Sequence, residues 1–431
     1  MDSSWRIAIL AAVMAFFGLS SNRSSGYFYT ELMNEFNIDR GTASWPVCVL
    51  GTLTDTGGVF AGPLARRYST SSVMICGAVF TSVGMLSSAF APSITWFTIT
   101  MGLLHGIGAG TLYTMLQVIL SRSFDKYRAT AHGIMYIGAS LSALVGPQFL
   151  FFLLRSYNFR SSVLLYGGIL LHTIPISFLF RFVPCANASK ETHITVFSIS
   201  ENNTMVETRK NTNENAAEKV SIRQVVQPVL RLPIYYVVTL AWLVTCYNVE
   251  IFVATVLDYA VDKGASHSDA VFILSYISLA DLVGRVLPLV ADHQFVRRST
   301  FTACNFFMMG ASVTCMPFVT SYGAFVGVAV LVSCSTGCAM SICGVLLADY
   351  VCLDHLEVSY GLMGLLCAPL LLVKPFLIGY FRDRLGSYDD LYYILAGLIF
   401  SLCLLWGLVA FSERRTSKRN ELKTNKDAVF K

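Results

Sequence analysis

Apolar runs of about 20 residues recur along this chain, and each is long enough to cross the hydrocarbon core of a bilayer as a helix. Twelve are read from the sequence. The first six lie at about 7–29, 45–64, 73–91, 94–120, 130–154 and 163–182. The second six lie at about 234–259, 269–291, 301–319, 323–348, 358–381 and 391–411. Composition agrees: the 431 residues are 55% hydrophobic and 13% charged, against about 25% charged in a soluble domain. Mean hydropathy is +0.60. The expectation is an all-α polytopic membrane protein. The first run, Ile7 to about Gly26, lacks a small-residue cleavage site and reads as a span, not as a signal peptide.

Between the sixth and seventh runs lies NASKETHITVFSISENNTMVETRKNTNENAAEK, Asn187 to Lys219. It is too polar to bury a core and reads as a flexible linker. The chain divides into a six-helix half at 1–183, a cytoplasmic linker at 184–232, a second six-helix half at 233–412 and a basic cytoplasmic tail at 413–431. This is the layout of two pseudo-repeated halves. Lys and Arg in the loops set the orientation. With the N-terminus inside, the inner set holds Arg6, Arg66, Arg67, Arg122, Lys126, Arg128, Arg297, Arg298, the linker and the tail. The outer loops hold Arg40, Arg155, Arg160, Lys263, Arg382 and Arg384. Both termini are therefore expected in the cytoplasm, which leaves the sequons at Asn187 and Asn202 unused.

Charges inside the spans carry the functional argument. The stretch SYISLADLVGRVLPLVAD, Ser275 to Asp292, holds Asp281 and Arg285 four residues apart. On a helix they share a face, with the acid N-terminal to the base. Either charge alone in lipid costs roughly 2.5–3.5 kcal/mol on insertion scales. A structural ion pair that pins the helix and a working pair facing a water-filled path are both open; the membrane setting favours the second. His105 in GLLHGIGAG reads as a satisfied interhelical hydrogen bond in preference to a proton relay. Lys374 in PLLLVKPFLIG either lines the path or snorkels to an interface. Gly102, Gly106, Gly108, Gly110, Gly133, Gly138 and Gly146 let helices approach closely.

Other chemistry is not signalled. The 12 Cys are scattered, without metal-ligand spacing or a disulfide framework, and read as packing residues. No nucleophile–base pair or phosphate loop is present, so neither enzyme activity nor a cofactor is expected. The net charge of +5 is modest and calls for no nucleic-acid partner.

The twelve-span layout with its central linker resembles the major facilitator superfamily. Several stretches resemble the monocarboxylate transporter family within it. DSSWRI, Asp2 to Ile7, is similar to that family's acidic–Gly–Gly–Trp opening, with Ser3 and Ser4 in place of the glycines. YFYTELMNEFNIDRGTASW, GPLARRYSTSSVMICG, SFDKYRATAHGIMYIGAS, DLVGR and GYFRDRLGSY resemble further family segments in the same order. The likeness covers nearly all the chain except the linker and tail.

The resemblance implies two six-helix halves that rock about a central site near the bilayer midplane. It also implies small carboxylates as substrates, often moved with a proton. The family's helix-eight Asp and Arg fall on Asp281 and Arg285, and its helix-one Lys falls on Arg23. Arg does not shed its proton, so coupling here has to run through a carboxylate: Asp281 first, Asp55 second. Asp55 alternatively serves as a fixed partner of Arg23, which would suit a neutral or zwitterionic cargo. Gly344 stands where lactate carriers of the family place a bulky aromatic, implying a larger cargo. Arg23, Arg285, Gly344 and Lys374 are thus the expected substrate-binding residues, and Asp281 and Asp55 the expected proton-coupling residues. Lys126 and Arg128 either anchor to headgroups or, as the family suggests, form a salt bridge between the halves.

The expected function is a secondary active or facilitative transporter of small organic anions, proton-linked, in the plasma membrane. The alternatives are a proton-independent uniporter of a larger or zwitterionic solute, and a non-transporting sensor on the same fold. Expected partners are the anion, the proton and the bilayer. Parts of the family use a single-span immunoglobulin-like chaperone; the DSSW and Arg23 departures leave that undecided.

Overall fold

The computed structural model describes residues 5–38, 40–182, 222–264, 267–288, 297–351 and 355–429. Asp2, Ser3 and Ser4, both sequons and most of the expected linker lie outside these residues. The described residues form twelve helical legs. In the first half, α1 comes in three pieces, Trp5–Gly18, Ser20–Arg23 and Ser25–Phe36. Leg α2 comes in two, Arg40–Asp55 and Gly58–Arg67. They are followed by α3 (Thr70–Ser88), α4 (Ile94–Ser123), α5 (Arg128–Ser156) and α6 (Phe159–Leu179). In the second half, α7 is Pro233–Asp262, α8 is His267–Gly284, α9 is Arg298–Phe318 and α10 is Tyr322–Tyr350. Leg α11 is Leu356–Leu371 continued by Lys374–Gly379, and α12 is Asp389–Val429. Among the described residues nine helical runs are long and apolar enough to span a membrane, or ten with the bent α2.

The halves share one packing plan. In the first, α2 packs on α4, α3 on α4 and α3 on α6; in the second, α8 packs on α10, α9 on α10 and α9 on α12. The stretch read as linker is not all coil: Ile222–Leu230 is a helix that packs on α7 and α11 and buries Val229.

Trp5 of α1 and Glu413 of α12 lie at one end, called here the terminal end. Trp5 packs its ring on Phe124 and Tyr127, with centroids 5.2 and 6.0 Å away. Glu413 accepts hydrogen bonds from Ser299 and Tyr350, each 2.6 Å long. The contacts that join the halves gather towards this end. There α2 packs on α11 across the pair Gly58 and Gly361, and α5 packs on α8 and α10.

Two legs bend where their sequences compete with the helix. Around Leu19 and Ser24, α1 reads SSNRSS, and the Ser20 hydroxyl bonds back to the Phe17 carbonyl at 2.8 Å. In α2 the Thr54 hydroxyl donates to Leu50 O at 2.8 Å and that of Thr56 to Thr52 O at 2.7 Å. Such back-bonding bends helices, and Gly57 and Gly58 follow; the two parts of α2 meet at 41°. Broken helices are tolerated at membrane depth only where protein or a cavity satisfies the freed groups.

Close approach within the first half is carried by Gly138. A Cβ there would sit 2.0 Å from the Ala12 carbonyl oxygen, so α1 and α5 touch backbone to backbone. Gly138→Leu therefore forces the two legs apart. Overpacking of this kind costs roughly 1–3 kcal/mol. The expected outcome is a thermal midpoint several degrees lower in detergent, measured by fluorescence-detected size exclusion.

Candidate functional site

The two bends face each other across the middle of the first half. Asn22, Arg23, Asp55, Tyr113, Tyr136 and Met340 are among the walls of a cavity of about 30 Å³. That volume holds a water or two and no more. Legs α1, α2, α4, α5 and α10 each contribute a wall. Arg23 and Asp55, singled out as charges in apolar runs, thus meet at one cavity, each placed by its own helix break. Arg23 is close enough to Arg285, Asp281 and Asp55 for their charges to act on it.

Behind the cavity stands the ion pair of α8. Arg285 Nε donates to Asp281 Oδ2 at 2.7 Å, as the spacing of four predicts. The helix stops at Gly284, not near 291 as the apolar run suggested. Val286 N and Leu287 N turn to the carbonyls three residues back, at 3.0 and 3.2 Å. Pro288 follows, which cannot continue the ladder. Arg285 therefore sits on the last turn, where the helix dipole favours a cation.

Leg α5 completes the setting. The Ser140 hydroxyl donates to Asp281 Oδ2 at 2.7 Å. The Arg285 guanidinium lies over the Tyr136 ring, 5.0 Å from its centroid. The Tyr136 and Tyr113 hydroxyls are 2.8 Å apart. A hydrogen-bonded and cation–π path thus links the cavity of Arg23 and Asp55 to Asp281 and Arg285. Tyr113, Tyr136 and Ser140 were not singled out from the sequence. The available signal was the spacing of Gly133, Tyr136 and Ser140, which share one helix face.

The pair is unevenly satisfied. The Arg285 side chain is 4% exposed and that of Asp281 23%. Arg285 Nη1 is buried with no hydrogen-bond partner. Buried donors are rarely left so. A guanidinium in this state can grip a carboxylate through parallel hydrogen bonds.

The remaining sequence candidates fall elsewhere. Gly344 is not a cavity wall. It lies in a packed crossing, where a Cβ would meet Gln117 Oε1 at 2.5 Å, and the Tyr360 hydroxyl shares its proton between that oxygen and Gly344 O, each 3.0 Å away. The space expected at Gly344 is filled by neighbouring legs in this conformation. Lys374 opens the helix Lys374–Gly379 of α11, and its side chain lies outside the described residues. His105 is fully buried, with Nδ1 2.6 Å from Thr81 O and Nε2 2.5 Å from Ser21 Oγ. A carbonyl only accepts, so Nδ1 carries the proton and Nε2 accepts from the serine. His105 is a satisfied tether between α1, α3 and α4.

The terminal end is closed by charge. Arg122 pairs with Glu357 at 2.6 Å. Arg128 Nη1 reaches Asp349 Oδ1 at 2.6 Å, and Arg298 Nη1 reaches the two oxygens of Asp349 at 2.8 and 2.7 Å. Arg298 Nη2 also donates to Lys126 O at 3.2 Å. Arg128 therefore joins the halves and is itself buried, which fits the inter-half salt bridge of the two readings and not headgroup anchoring.

A profile of the Major Facilitator Superfamily matches residues 8–368. The chain belongs to the Major Facilitator Superfamily. Among its relatives are Monocarboxylate transporter 12 of Xenopus laevis, 21% identical over 95% of this chain and 89% of the relative, and Monocarboxylate transporter 6 of Mus musculus, 23% identical over 97% and 89%. These relatives agree with the resemblance read from the motifs. The fold is also that of the superfamily transporter FucP in the outward conformation, with a TM-score of 0.70, 13% identity and coverage of 94% of this chain and 98% of FucP. This superfamily protein is therefore a multi-pass helical membrane transporter.

Arg128 and Arg298 converge on Asp349. In Asp349→Ala, Arg128 loses this carboxylate and the terminal closure weakens. Alkylation of Cys343, which is buried near this closure, is expected to quicken by roughly tenfold in a background with the other cysteines removed.

Proposed function

We propose that this superfamily transporter carries small organic carboxylates by alternating access, with Arg285 as the anchor for the carboxylate. The observation that carries the reading is the buried Nη1 of Arg285, without a partner among the described residues, beside an Asp281 that engages Nε. Asp281 neutralises Arg285 while the site is empty. A proton on Asp281 releases the guanidinium for substrate, so proton and anion enter together and their charges cancel. Arg23 adds a second fixed cation at the cavity wall and Asp55 a second carboxylate. The names of the two relatives above, both monocarboxylate transporters, support the substrate class.

One observation favours a second reading. Arg23 and Asp55 share a cavity and their charges offset each other. A site built from two Arg and two Asp is balanced before any proton binds. It suits a zwitterion carried without proton coupling. The two readings differ in whether Asp281 titrates during the cycle.

On this reading the spread of Lys and Arg favours cytoplasmic termini, the closed terminal end corresponds to an outward-facing carrier, and the plasma membrane is the expected compartment.

An uptake panel in oocytes at two external pH values tests this. It holds lactate, pyruvate, creatine, an aromatic amino acid and a thyroid-hormone-like compound. Arg285→Ala is expected to lower uptake of a carboxylate cargo by about 10- to 100-fold with surface expression unchanged, the loss of a charge-assisted hydrogen bond. Uptake at the wild-type rate in that variant sinks the anchor role. If Asp281 carries the proton, external acid stimulates wild type and not Asp281→Asn. Stimulation retained in Asp281→Asn moves the proton to Asp55 or removes coupling altogether.

A further inference from the structure

The ion pair of α8 is gripped almost wholly by the other half of the molecule. Ser140 donates to Asp281 Oδ2 at 2.7 Å, and the same oxygen accepts from Arg285 Nε. Tyr136, one turn before Ser140, presents its ring to the Arg285 guanidinium. Gly133, three residues earlier, lets the Arg285 carbonyl oxygen approach to 2.7 Å from where a Cβ would stand. The three residues lie on one face of α5, and they meet the last turn of α8. From the second half, Gly337 of α10 packs against the Asp281 carbonyl and carboxylate.

This contact sits on the side of the cavity that is closed. Legs α5 and α8 run antiparallel, with Gly133 beside Arg285 and Ser140 beside Asp281. The terminal ends of the halves cannot part without breaking both side-chain contacts. Both contacts also depend on the pair being intact: Ser140 reaches the oxygen that binds Arg285, and Tyr136 holds the guanidinium where Asp281 keeps it.

We propose that Ser140 and Tyr136 are positioning residues that latch the second half to the first while Asp281 and Arg285 are engaged with each other. The proposal rests on Arg285 being the substrate anchor. A carboxylate that binds Arg285 competes with Asp281 for the guanidinium, and the two contacts from α5 loosen together. Occupancy of the site is thereby converted into freedom of the halves to part at the terminal end. Without substrate the latch holds the carrier closed there, which limits reorientation of the empty carrier.

The test is made on the full chain in nanodiscs, without substrate. Spin labels on Tyr157→Cys and Ser321→Cys, both exposed and at the distal ends of α5 and α10, report the width of the distal mouth. Electron–electron distance distributions give the ratio of distal-open to distal-closed carrier. Ser140→Ala and Tyr136→Leu are each expected to shift that ratio towards distal-closed by about threefold to tenfold, the range for a hydrogen bond between membrane helices. Tyr136→Phe keeps the ring face and Ser140→Thr keeps a hydroxyl; both are expected to stay near wild type, which separates the latch from general packing. In the Asp281→Asn background Ser140→Ala is expected to add little, because the two act through one contact. Unshifted distributions in both Ser140→Ala and Tyr136→Leu overturn the latch, as does full additivity with Asp281→Asn. The parallel uptake assay keeps the two ideas apart. Loss of carboxylate uptake in Arg285→Ala with no shift in the latch variants removes the latch alone. Normal uptake in Arg285→Ala removes the anchor on which it rests.

Discussion

A charge pair inside a membrane has to be satisfied from every side, and Asp281 with Arg285 sets what the surrounding legs can be. The attraction of the two charges offsets their desolvation only when the remaining lone pairs and protons find partners. Asp281 Oδ2 receives two donors, one from each half. Arg285 receives a ring face, and one nitrogen is left over. Gly133, Gly284 and Gly337 follow from the same demand. A Cβ at Gly284 would stand 2.0 Å from the Cys334 carbonyl oxygen, so α10 could not come close enough to wall the pair. The short α8 follows too: with Pro288 stopping the helix, Arg285 lies on the final turn, aligned with the negative end of the dipole.

The closure at the terminal end uses different physics. Gly58 on Gly361 gives backbone contact between α2 and α11 without interlocked side chains, so the legs can part without rotamer rearrangement. The ion pairs that reinforce it each have a partly wet member: Arg122 is 29% exposed against 5% for Glu357, and Asp349 20% against 7% for Arg128. On the alternating-access reading these charges pass to water when the halves separate. Opening is therefore resisted without being prevented, as a carrier that faces both ways requires.

The fold was legible because lipid leaves few choices: apolar runs of span length become helices, and each expected run is helical over most of its described residues. What the runs concealed were the interruptions. SSNRSS in α1 and TLTDTGG in α2 passed as span interior, because hydropathy averages over the serines and threonines whose hydroxyls bond back to the chain. Those interruptions bring Arg23 and Asp55 together. The acid–base spacing of Asp281 and Arg285 was readable because it is local to one helix. Ser140 and Tyr136 were not, since their role comes from a contact 141 residues away in sequence for the serine. The packing at Gly344 was hidden for the same reason. A missing side chain reads as space, yet Gln117 and Tyr360, from two other legs, occupy it.

The four central charges also bear on energetics across a polarised membrane. Moving one elementary charge through the field costs or yields about 2.3 kcal/mol per 100 mV. Two Arg and two Asp sum to zero, so the empty carrier reorients without working against the potential. An anion alone would make the loaded carrier negative and its passage voltage-dependent. On the proposed reading a proton on Asp281 restores neutrality for a carboxylate, while a zwitterion needs none. Arg23 sharpens the choice. A lysine at that position could give up its proton to rebalance the site, whereas the guanidinium holds its charge through the whole cycle. On the proposed reading, charge balance in this transporter is set by its carboxylates alone.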